Sequence, residues 1–100
     1  MSQFSVTLDA TTQSIHVAGD LTFATANDVQ MAIRDKLKAV PAIAVDLAEV
    51  TRSDSAGLAL LIDWMRKAKK EDKAITFHNV PQQMLAIAHA SGLEELLSLQ

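Results

Sequence analysis

Ser53, Asp54 and Ser55 open the stretch SDSAGL, which places two hydroxyls and a carboxylate on consecutive residues just before a glycine and a long apolar run. Such a serine could act as a nucleophile, accept a phosphoryl group, or simply start a helix. Nucleophilic chemistry needs a base within hydrogen-bond reach. No GxSxG elbow surrounds either serine, and no histidine stands close to them in sequence. His16, His78 and His89 lack the i, i+4 spacing that puts two ligands on one helical face, so no metal site is expected. Gly19, Gly57 and Gly92 lie too far apart for a GxxxxGK[ST] or GxGxxG phosphate turn. No cysteine is present, which excludes disulfides and thiolate chemistry, and no cofactor is implied.

The chain that must position these residues has 100 residues, 49% of them hydrophobic and 21% charged, which suits one domain around one core. A net charge of -3 argues against a nucleic-acid binder. The start, MSQFSVTLD, has no signal-peptide pattern, and the longest apolar run, Ala56 to Ile62, is too short to span a bilayer. A cytoplasmic protein that reaches a membrane only through a partner is expected. The run RKAKKEDK, Arg66 to Lys73, reads as a solvated helix end whose lysines complement the helix dipole, in preference to a lipid or nucleic-acid patch.

Two short strands, FSVTL and SIHVAG, are predicted around the polar ATTQ, with Gly19-Asp20 ending the second. Val29, Ile33, Leu37 and Val40 recur at helical spacing from about Thr25 to Ala39, and Pro41 ends that helix. AIAVDL, Ala42 to Leu47, is apolar on both parities, as in a strand covered on both faces. A helix follows from about Ser55 to Lys70, then a strand at Ala74 to Asn79, a helix after Pro81 capped by Gly92, and a short helix in EELLSL. This order implies an α/β fold, a small mixed sheet with helices packed on it.

SDSAGL therefore joins a buried strand to a helix. Ser53 or Asp54 can cap that helix, and the same start points free amides and hydroxyls toward a partner or a phosphate. At about 100° per residue, Leu58, Leu61, Ile62 and Met65 form a core stripe, while Leu60 and Trp64 widen the apolar arc to about 200°. Either a neighbouring helix covers Leu60 and Trp64, or they form a docking surface beside the serines with Trp64 as its anchor.

The stretch VDLAEVTRSDSAGLALLIDWMRKAKKEDKAITFHNVP, with the early strands and the SGLEELL tail, resembles the STAS domain family over essentially the whole chain. That resemblance implies a single STAS domain with a four- or five-stranded mixed sheet and helices mainly on one side. Antagonists in the family carry a pattern like DSSGL whose second serine is phosphorylated. Here that place is Ala56, which has no oxygen to esterify, and Ser55 holds the first place. The fuller pattern is most similar to free-standing members that attach to the cytoplasmic ATPase of a phospholipid-moving ABC transporter in Gram-negative bacteria. By that resemblance the chain is a non-catalytic subunit, peripheral to the inner membrane, in a complex of ABC ATPase, permease and lipid-binding protein. Its expected partner-binding residues are Ser53, Asp54, Ser55, Ala56, Leu60 and Trp64. The alternative is an anti-sigma factor antagonist switched by phosphorylation of Ser53 or Ser55. A homodimer of the isolated chain through the same surface is also compatible with the sequence.

Overall fold

Alternation sets the first two strands. Phe4, Val6 and Leu8 of β1 (Phe4–Asp9) turn inward, and so do Ile15, Val17 and Leu21 of β2 (Ser14–Leu21), which are completely buried. In the computed structural model, which describes residues 3–93, β1 pairs antiparallel with β2 through an Asx turn. Asp9 Oδ1 accepts the amides of Thr11 and Thr12 at 2.9 and 3.3 Å, and Gln13 takes a left-handed φ of 58°. The short helix expected in EELLSL lies outside the described residues.

Gly19-Asp20 does not end β2. The strand continues to Leu21 through two register shifts, because Gly19 at φ 85° absorbs an irregularity where a Cβ would stand 2.3 Å from the Gln3 carbonyl oxygen. Helix α1 (Ala26–Ala39) follows and buries Val29, Ile33 and Leu37. Strand β3 (Ile43–Ser53) runs on past the predicted Leu47 and pairs parallel with β2 as far as Leu21↔Ser53. Helix α2 (Ser55–Lys70), β4 (Ile75–His78) and α3 (Gln82–Ala90) complete the order.

The sheet has four strands in the order β1-β2-β3-β4, with β2–β3 and β3–β4 parallel. Helix α1 packs over β1 and β2, and α2 lies over β3 between α1 and α3. Gly92 closes α3 at φ 69°, with Leu93 N–H donating to the Ala88 carbonyl at 2.8 Å and its side chain against the core, as a Schellman cap requires.

The described helices cover one face of the sheet. β3 is therefore not buried on both sides: Ile43, Val45 and Leu47 face the core, while Ala44 and Asp46 lie half-buried on the other face. That open face carries a polar row across the strands, Thr7, His16, Asp46 and His78. His16 Nδ1 lies 3.7 Å from Asp46 Oδ2, and Asp46 Oδ1 accepts the Ala48 amide at 2.9 Å and Asn79 Nδ2 at 3.1 Å. The Ala48 hydrogen bond, opposed by partial burial and aided by Asn79 and the two histidines, holds the Asp46 carboxyl below its usual range.

Candidate functional site: the strand-to-helix junction

The parallel strands β2 and β3 end side by side, so the segment after Leu21 and the segment after Ser53 emerge together. Asp54 ties them. Its backbone is extended (φ -144°, ψ -166°), Oδ1 accepts the Ala56 amide at 2.9 Å, and Oδ2 accepts the Phe23 amide at 3.2 Å. One carboxylate therefore caps α2 and anchors the β2–α1 loop. Its charge also complements the positive end of the α2 dipole.

The loop is held from its other side by Thr25. The Thr25 hydroxyl accepts the Thr22 amide at 3.1 Å and donates to the Asp20 carbonyl at 2.8 Å, which buries this threonine. Phe23, between these fixed points, is 86% exposed. Its backbone is fastened while its ring faces solvent. The periodicity of the chain misses Phe23, because it belongs to neither a strand alternation nor a helical stripe; the available signal was a lone aromatic among small residues in LTFATA.

Ser55 begins α2 and is exposed, with no hydrogen-bond partner for its hydroxyl among the described residues. Ser53 ends β3; its amide donates to Gln83 Oε1 at 3.3 Å, and its Oγ is buried without a partner among those residues. Ala56 is half-buried. Gly57 brings α2 down on the end of β2, since a Cβ there would lie 2.5 Å from the Leu21 carbonyl oxygen. The cap expected at Ser53 or Asp54 is made by Asp54. Of the hydroxyls in the motif, Ser55 is the one on the surface.

Leu60 and Trp64 do not belong to an exposed surface. Leu60 is buried at 7% and Trp64 is completely buried, because α1 packs along that side of α2. Trp64 Nε1 donates to Gln30 Oε1 at 2.7 Å, and Gln30 Nε2 donates onward to Asp63 Oδ2. Asp63 also pairs with Lys67 at 3.0 Å. Partial burial pushes the Asp63 carboxyl up, and the hydrogen bonds and charges of Lys67, Gln30 and Arg66 outweigh it, leaving the group below its usual range. The wide apolar arc is thus filled within the fold. Among the described residues, the large hydrophobic side chains that are exposed are Phe23 and, on α1, Met31 at 62%.

The junction fastens the backbone beneath an exposed hydroxyl and an exposed aromatic ring, with none of the described groups placed to activate Ser55. Its geometry suits recognition by a partner surface.

Among curated proteins none matches this chain in sequence. Solved structures show the same fold. An anti-sigma factor antagonist from Mycobacterium paratuberculosis is 22% identical with a TM-score of 0.76, over 96% of this chain and 84% of that one. The anti-sigma factor antagonist SpoIIAA in its unphosphorylated form is 19% identical with a TM-score of 0.69, over 92% and 83%. SLC26A9 is 17% identical with a TM-score of 0.72, over 88% of this chain and 17% of that chain. The family model described as "Mlab, STAS domain" matches residues 4–98. On that match, which includes both arms of the junction, the chain belongs to the STAS domain family.

Proposed function

We propose that this chain is a non-catalytic regulatory and assembly subunit of an Mla-type ABC phospholipid-transport complex, which maintains outer-membrane lipid asymmetry. It docks on the cytoplasmic ATPase through Ser55 and Phe23. The observation that carries the reading is the junction: one carboxylate holds the backbone amides of Phe23 and Ala56, on segments that carry an exposed ring and the exposed Ser55 hydroxyl, while Ala56 has no oxygen for a phosphoryl group. The Mlab description of the matched family supports it. Docking places the protein at the cytoplasmic side of the inner membrane, held there by the ATPase.

Co-purification with the ATPase subunit tests this. Phe23→Asp and Ser55→Arg are each expected to abolish capture while the domain stays folded, because both side chains are exposed, with a slightly lower thermal midpoint for Ser55→Arg at the positive end of the α2 dipole. Undiminished capture by both variants rejects the surface.

A second reading is an anti-sigma factor antagonist controlled by a serine kinase. It is favoured by solved neighbours of that description and by the exposure of Ser55 at a helix start, where a phosphate would meet the positive dipole end. Intact mass after incubation with a partner kinase separates the two. A single phosphate on Ser55, lost in Ser55→Ala, selects the antagonist.

A further inference from the structure

At the far end of α2 from Ser55, the helices leave a cleft of about 400 Å³ lined by Arg34, Leu37 and Lys38 of α1 and by Lys67, Lys70 and Glu71 at the end of α2. Along α2, at about 1.5 Å per residue, this cleft lies roughly 18–24 Å from the junction, too far to share a contact with it. Its walls carry four cations against one carboxylate, in a chain whose net charge is -3.

Lys38, Lys67 and Lys70 stand in the last turns of their helices and complement the dipoles there, but none of them donates to a terminal carbonyl among the described residues. The terminal carbonyls of α1, at Leu37 and Lys38, are already met by Lys73 Nζ at 3.1 and 3.3 Å. Arg34 stands more than a turn before Ala39, beyond the reach of the helix-end dipole. Lys67 is paired with Asp63, but Arg34, Lys38 and Lys70 have no carboxylate partner among the described residues. Like charges held around one cleft repel unless an anion enters, and Leu37 with the methylene stems of the lysines supplies an apolar floor.

We infer that this cleft binds an acidic protein segment, whose carboxylates meet Arg34, Lys38 and Lys70 while an apolar side chain covers Leu37. A concave site fits an inserted segment better than a flat bilayer. Four cations and one carboxylate, contributed by two helix ends around Leu37, fit separated carboxylates better than one compact phosphate. The site is independent of the ATPase-docking junction, so the chain can hold two partner segments at once.

Anisotropy of a fluorescein-labelled Asp-Glu-Leu-Asp-Glu peptide, titrated with the whole chain at about 0.15 M salt, tests the inference. Saturable binding is expected, weakened about five- to tenfold by either Arg34→Glu or Lys70→Glu and unchanged by Phe23→Asp. Leu37 stays untouched so that the core is preserved, and Arg34→Ala with Lys70→Ala provides a milder pair should the reversals unfold. Absence of saturable binding, or equal binding by the double variants, overturns the proposal. So does displacement of the peptide by equimolar inorganic phosphate, or binding to phosphatidylglycerol vesicles without binding to the peptide.

Discussion

Asp54 divides its two oxygens between two segments of the chain, so its substitutions should separate capping from loop anchoring. Asp54→Ala is expected to cost about 1–2 kcal/mol, measured by urea unfolding, and to release the loop that holds Phe23. Asp54→Asn retains one acceptor oxygen for one of the two amides and should fall between alanine and wild type in both stability and partner capture. Trp64→Ala should behave differently. Removing a completely buried ring is expected to cost about 3–5 kcal/mol, a large part of the stability of a small domain, whereas loss of partner capture should follow only from loss of fold. The motif residues were legible because caps, turns and phosphorylatable hydroxyls are local in sequence. Trp64 was not, because its fate depends on Gln30, a residue of another helix. Phe23 was missed for the same reason: its position is set by a carboxylate on a distant segment.

At the level of elements, α2 was readable almost to its ends, since a capping aspartate, an apolar stripe and a lysine-rich last turn all agree. β3 was read too short and too buried. Ala44 looks apolar in a sequence yet tolerates a half-open sheet face, and the mostly polar run from Glu49 to Ser53 hides a strand paired to β2. That extension is what carries Ser53 level with Leu21. Gly57 keeps the arrangement tight, so Gly57→Ala should push α2 off the Leu21 carbonyl and lower stability, despite the better helix propensity of alanine. A raised urea midpoint would show that α2 has slack at its start. Asp46 contributes at this scale because it stitches β3 to the segment after β4. Its carboxyl is held below the reference 3.8, so its stabilisation is complete above that value and is lost as pH falls through the folded value. Unfolding of Asp46→Asn should therefore depend less on pH below the reference 3.8 than that of the wild type.

For the molecule as a whole, the described helices on one sheet face set the junction and the cationic cleft at opposite ends of α2. The parallel pairing of β2 with β3 also has a kinetic consequence. The β1–β2 hairpin closes over a short turn and can form in about 1–10 μs, whereas pairing β2 with β3 must also close the longer segment from Leu21 to Ile43, which holds α1. Substitutions in that unit, such as Ile33→Val and Val45→Ala, are expected to slow refolding, while Val80→Ala should chiefly speed unfolding; stopped-flow chevrons distinguish these cases. The junction stands at the last rung of the same pairing, Leu21 beside Ser53. A chain stalled before that rung closes would leave Asp54 without the Phe23 amide, and would present neither ring nor hydroxyl in a form that a partner could engage. Under the proposed docking, a partner that reads the junction would accept only chains whose β2–β3 pairing has closed to its last rung.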